Sequence, residues 1–377
     1  MKNTVQALLL ILISFNFSAC SSTVKQPEVA FEKSDFKLKR SWVRRLSTKK
    51  SLRTNEIAQN FNPLVRENGN IIQASSFGGI YELNEYGHKK WSHEAKSPVS
   101  GAGSMYKNFV FFGTQDKYLH AYDISGKAIL WSTLLEGAVS SISEFENGKI
   151  FVLTDLGSLY SIKAAEGIVD WKVSYASRKA LKIYGGAMSV LYKDQVIAAF
   201  PNGVVASLSQ STGKSKWKSR LEGSQKYEDV DFLSFSNSGF LVAGVFDEAL
   251  YRLNLENGRV IWQAFEKPVS PLTMFGDDVY FSTANGELVS LGMASGNLKF
   301  RRKLFEGLGG KPLFYKDKIA VADSKGPIRI LKKDGSAIVS TYDLVSASSA
   351  AMALSKDENK FYVLSDKGYF YSFGLRK

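Results

Sequence analysis

Beyond the first forty residues, apolar and polar positions alternate with a period of two, in short runs broken by Gly, Asn and Asp. A typical unit holds "AVSSISEFE" (138–146), "KIFVLTD" (149–155), "GSLYSIK" (157–163) and a last run that carries a Trp. Period two is the signature of a strand with inward and outward faces, and the Gly and Asn breaks supply the turns. No 3.6-residue apolar period suited to a long helix occurs past residue 20. The pattern is that of an all-β chain.

The runs repeat. Aligned on a Gly followed four or five residues later by an aromatic or apolar residue, the chain shows "EYGHKKW" ending at Trp91, "DISGKAILW" at Trp131 and "AAEGIVDW" at Trp171. The series continues with "QSTGKSKW" at Trp217, "LENGRVIW" at Trp262, "MASGNLKF" at Phe300 and "KKDGSAIV" at Val339. Successive intervals are 40, 40, 46, 45, 38 and 39 residues. Four short strands in each such unit predict propeller blades, each burying its faces only against its neighbours. After Val339 three strands remain without a Trp strand, while "KRSWVRRLS" near the other end presents Trp42 in a Trp strand with no three before it. The expectation is an eight-bladed β-propeller whose last blade is closed by the N-terminal strand, which leaves no open edge between first and last blades.

The repeat also disposes of a false motif. "TGKS" within "QSTGKSKW" has the ending of a phosphate-binding loop, but Leu208 stands where such a loop needs its first Gly, and no helical pattern follows. Gly213 is instead a turn residue with positive φ.

Composition adds the compartment. Lys2 precedes an apolar run, "ALLLILISFNF", and then "SAC", which together form a secretory signal too short for a stable membrane span. Cys20, the single cysteine, sits at the cleavage point; "FSAC" resembles a bacterial lipobox, departing from it at Phe17, and the alternative is an ordinary signal with an incidental Cys. Lipidation of Cys20 would leave no thiol for a disulfide, a metal or a nucleophile. The expected organisation is 1–19 signal peptide, 20–40 lipidated Cys and flexible tether, and 41–377 propeller. The net charge of +13 would in cytoplasm suggest nucleic acid, but an exported chain meets membrane or protein instead. The basic cluster Lys37–Arg45 reads as a solvated strand face near the tether, or as a surface toward anionic headgroups. Ser21 and Ser22, by resemblance to enterobacterial lipoproteins, place the anchor in the outer membrane on its periplasmic side.

Gly-Lys-x-x-Trp turns in a propeller resemble the tryptophan-docking repeats of quinoprotein dehydrogenases, with "STGKSKW" the nearest copy. Eight blades behind a lipobox are similar to the component-B family of the outer-membrane β-barrel assembly machinery, over Trp42 to Lys377 together with the signal. The connectors after Trp171 ("YASRKALKIYGGAM") and after Trp217 ("LEGSQKYEDVDFLS") are longer than the rest, and adjacent long loops on a rigid scaffold are where binding concentrates. The resemblance implies that these two loops dock on a periplasmic domain of the barrel-inserting subunit. The family's Leu-x-Leu-Arg-Gly falls on Leu181-Lys182-Ile183-Tyr184-Gly185, with Tyr in place of Arg, and its Asp-Val-Asp falls on Asp229-Val230-Asp231. Leu181, Ile183, Tyr184, Asp229 and Asp231 are therefore the expected partner-binding residues. Leu181 and Ile183 could equally be the inward face of a strand, and the aspartates turn formers that support the loop. Unfolded outer-membrane proteins, pairing with an exposed blade edge, are a further expected partner.

Catalysis is not expected. A quinone-dependent dehydrogenase uses adjacent cysteines, a calcium-binding Glu/Asn/Asp set and a catalytic Asp on long inserted loops. Here Cys20 is assigned to lipid, and His88, His93 and His120 form no recognisable triad or metal motif. No cofactor, metal or nucleic acid is expected. A propeller lipoprotein that binds a sugar or polymer is the remaining alternative to an assembly scaffold.

Overall fold

A computed structural model of the chain describes residues 29–32, 36–46, 61–175, 189–221, 229–346, 348 and 350–376, and among them every regular element is a β-strand. The strands form eight sheets. Blades one to seven occupy residues 64–94, 99–134, 139–174, 189–220, 230–264, 273–303 and 313–342, each a four-stranded antiparallel meander. Blade eight takes its first three strands from residues 353–376 and its outer strand, Lys37–Arg45, from the other end of the chain. The innermost strands of successive blades lie against one another around the centre.

Burial follows position in the blade. The second and third strands are covered on both faces by neighbouring blades, so Lys149–Thr154, Gln195–Ala199 and Glu287–Gly292 are buried almost throughout. Outer strands alternate instead: Ala128–Leu134 is exposed at every second residue. Eight apolar clusters fill the spaces between blades, which is why one blade cannot stand alone.

The repeated Gly and Trp belong to different joints. Trp171, on the outer strand of blade three, donates its indole N–H to Gln210 O (3.0 Å) of blade four, and its ring lies on Gly213. A Cβ at Gly213, where φ is +71°, would sit 2.8 Å from Trp171 Cδ2. Trp42, Trp131, Trp217 and Trp262 donate in the same way to Glu85, Ala164, Leu255 and Met293 of the following blades. Phe300 keeps the ring contact, with Gly335, and has no N–H to give. Trp91 departs from the series. Its ring stacks on Tyr122 (4.9 Å), its buried N–H finds no acceptor, and in the facing turn Lys127 rather than Gly126 takes positive φ.

Strand register corrects one alignment. Every outer strand carries a bulge just before its docking residue, and in blade seven the register places Ser340 opposite Ile330. Ser340, not Val339, is thus the structural counterpart of the tryptophans; Val339 is the buried extra residue of the bulge. The reason is topological. Blade eight has no turn between its third and outer strands, since these come from opposite ends of the chain, so there is no glycine to receive a ring. Ser340 Oγ instead accepts the backbone N–H of Leu38 (2.9 Å).

A second difference lies in the residues expected to be tether. Ala30–Phe31 pairs in parallel with Ala337 and Ile338 as a fifth strand on the outer edge of blade seven. Glu32 N–H donates to Ile338 O (2.9 Å), and Lys332 pairs with Glu32 (2.6 Å). The outer strand of blade eight begins at Lys37, so the boundary placed between 40 and 41 falls inside a strand. Elsewhere blades are linked by polar contacts, as where Arg66 pairs with the buried Glu82 (2.6 Å) and reaches Asn108 of blade two (2.7 Å).

Candidate docking rim

Connectors between blades and the turns between second and third strands share one rim of the ring. Two of those turns meet directly: a Cβ at Gly157 would lie 3.0 Å from Pro201 Cδ of the next blade. The first candidate loop leaves this rim at Tyr175, whose N–H donates to Gly157 O (2.9 Å) and whose ring packs edge-on against Phe200 (4.8 Å). It returns at the inner strand Ser189–Tyr192 of blade four. The second leaves one blade later at Leu221, bonded to Gly203 O (2.7 Å), and returns at Asp229. The two loops therefore rise from neighbouring positions on one rim. Leu181, Ile183 and Tyr184 lie outside the described residues, as does Cys20.

Loop length is distributed differently from expectation. Fourteen residues separate the strands flanking the first loop, but only nine separate those flanking the second, the same as between blades six and seven. The extra residues after Trp217 go into a six-residue inner strand, Val230–Phe235, and the turn that follows it on the opposite rim.

Asp231 sits in that inner strand at a bulge and is 3% exposed. Its Oδ2 accepts the N–H of Phe246 (3.3 Å), so the carboxyl ties the end of the second loop to the neighbouring turn of its own blade. Burial, and secondarily the charge of Asp229, push the Asp231 carboxyl up to about 8, against the opposing pull of the Phe246 N–H. The Asp231 side chain faces the blade interior.

The histidines are engaged in the blades. His120 bonds Ser132 Oγ through Nδ1 (2.7 Å) and Thr114 Oγ1 through Nε2 (3.1 Å), with its pKa lowered chiefly by burial. His93 packs against Tyr122 (4.9 Å), and His88 is exposed. Among the described residues no cluster of three or more His, Cys, Asp or Glu is placed to hold a metal ion.

Eight antiparallel blades, seven of them laying an aromatic ring against the next blade, define a quinoprotein-like propeller. The family model described as "Outer membrane protein assembly factor BamB" matches residues 76–245 and 246–371, and the chain belongs to this family. Curated relatives carrying that name include the protein of Nitrosomonas eutropha (24% identical, covering 83% of this chain and 78% of the relative). That of Escherichia coli (strain K12) is 21% identical, covering 83% and 84%. Among solved structures, BamB from Moraxella catarrhalis superposes with a TM-score of 0.76 at 20% identity, covering 89% of this chain and 99% of that one. A quinohemoprotein alcohol dehydrogenase from Comamonas testosteroni superposes with a TM-score of 0.72 at 11% identity, covering 89% and 76%, a likeness of fold alone.

Proposed function

We propose that this chain is a non-catalytic scaffold lipoprotein of the outer-membrane β-barrel assembly machinery, held on the periplasmic face of the outer membrane by lipid on Cys20. In this reading the two neighbouring loops dock on periplasmic repeat domains of the barrel-inserting subunit and so assist insertion of outer-membrane proteins. The observation that carries it is the family match across both halves of the propeller, joined to two adjacent loops on one rim. Leu181 and Ile183 supply apolar anchors, Tyr184 an aromatic contact, and Asp229 and Asp231 hold the second loop in place. A rigid ring suits the task, because it presents loops in fixed register without ordering cost at each encounter.

The test is a detergent pull-down of the tagged chain from its native membrane, with wild type beside Leu181→Asp/Ile183→Asp. The barrel-inserting subunit should co-elute with wild type and be lost from a variant whose thermal midpoint is unchanged. Absence of that subunit from the wild-type eluate would defeat the reading.

A further inference from the structure

Charge is distributed unevenly around the ring. Over the described residues, blades seven and eight with the N-terminal strands hold 15 Lys and Arg against 8 Asp and Glu, whereas the other six blades balance at 23 of each. The whole positive excess of the described propeller therefore lies in one sector. Lys37, Lys39 and Arg40 are exposed on the outer strand of blade eight, at the very edge of the ring. Beside them the strand Ala30–Phe31 caps the edge of blade seven and leaves Phe31 64% exposed. On the rim opposite the candidate loops, in turns of blade seven, Lys316 and Lys333 are exposed over Tyr315 and Phe275. Lys299, Lys318, Lys332 and Lys333 line a cleft of ≈ 550 Å³ beside Phe300, together with Asp278, Asp317 and Asp334.

We propose that the outer edge of blades seven and eight is a membrane-facing surface that seats against anionic phospholipid headgroups. Exposed lysines and arginines with an apolar ring among them are the chemistry of a headgroup boundary: cations meet phosphate while the ring enters the interface. Chain length points the same way. Ten residue steps join Cys20 to Ala30, at most about 35 Å when extended, so a lipid on Cys20 keeps this sector within that reach of the bilayer. The pairing of Ala30–Phe31 with blade seven keeps that leash short, since without it the leash would run on to Lys37. The inference thus rests on the lipid-anchor reading of Cys20. The junction of blades seven and eight lies four blades, half a turn, from the junction of blades three and four. Seated in this way, the propeller stands on its edge and presents the first docking loop away from the lipid.

The test uses the full lipid-bearing chain in phosphatidylcholine vesicles, with and without phosphatidylglycerol, and follows lysine acetylation by mass spectrometry. Lys37, Lys39 and Lys333 should react several-fold more slowly when phosphatidylglycerol is present, with the protection lost at high salt. Lys163 and Lys214, exposed on blades three and four, should not change. In a Lys37→Ala/Lys39→Ala/Arg40→Ala chain the protection of Lys333 should weaken, by about fivefold in surface affinity for each cation removed, at an unchanged thermal midpoint. Equal labelling in both vesicle types overturns the proposal, as does equal protection of Lys163. Protection reproduced by free glycerol 3-phosphate without vesicles also overturns it, in favour of a soluble-phosphate site. The mass of the N-terminal peptide reports lipid on Cys20 separately, so a failed anchor is distinguished from a failed surface.

Discussion

Replacing Asp231 by Asn should stabilise the propeller, and by more as pH rises. The Asp231 carboxyl is 3% exposed and pushed up to about 8, whereas in the unfolded chain an Asp ionises near 3.9. Between those values the folded state retains a proton that the unfolded state has released, so stability falls as pH climbs from about 4 to about 8. Each pH unit in that window costs about 1.4 kcal/mol, which amounts to on the order of 4 kcal/mol at pH 7. Asn has nearly the same shape, offers an oxygen to the Phe246 N–H and carries no charge in either state. Asp231→Asn should therefore match wild type near pH 4 and exceed it by on the order of 4 kcal/mol at pH 7. Thermal and urea midpoints of both chains across that range would measure the gap. A gap that does not widen with pH, or a variant less stable than wild type at pH 7, would refute the reasoning. Either would mean that Asp231 is ionised in the folded chain and held by a cation, which would move it from bracing the loop to binding charge.

The ring joints can be tested with a pair of glycines. Gly213→Ala carries a left-handed backbone cost and a Cβ 2.8 Å from Trp171 Cδ2, whereas Gly239→Ala, at φ +84°, meets nothing within 4 Å. The second should cost about 1 kcal/mol and the first at least about 1 kcal/mol more; equal losses in denaturant midpoint would deny that Gly213 exists to receive the indole. Arg66→Met should cost about 3 kcal/mol by leaving the buried Glu82 without its cation and with Asn70 as its polar contact, and Arg66→Met/Glu82→Gln should recover most of it. If the double variant is as unstable as the single, the pair is not what holds Arg66 in place. Loss of the barrel-inserting subunit from Leu181→Asp/Ile183→Asp, and phosphatidylglycerol-dependent protection of Lys37, Lys39 and Lys333, test the two opposite sides of the ring.

Much of this architecture was legible in the chain because it is repeated. Strand alternation depends on which face of each residue is buried, and a Gly-to-Trp spacing near forty residues marks a joint that recurs around the ring. Closure of blade eight by Trp42 could be inferred because three strands were left over at one end and one at the other. Even the unit that departs in residue type, at Phe300, kept its place.

The exceptions lie where contacts are made between segments far apart in sequence. Nothing in "AF" at 30–31 announces a strand, since two residues show no period; it forms because the edge of blade seven offers unpaired backbone groups. Val339 fits the spacing, but the register of the bulge puts Ser340 in the docking place, where its hydroxyl meets Leu38, 302 residues away in sequence. Asp229 and Asp231 look alike in a motif; only packing decides that Asp231 turns inward to Phe246, where burial raises its pKa. The net charge was countable from the start, yet the gathering of the described residues' positive excess in two blades follows from the N-terminal strands joining the C-terminal ones. A repeated local pattern specifies blades because each blade meets the same surroundings. What the tertiary structure alone decided is what happens where that repetition is broken, at the closure and in the loops, since there each residue's partner is supplied by a distant part of the chain.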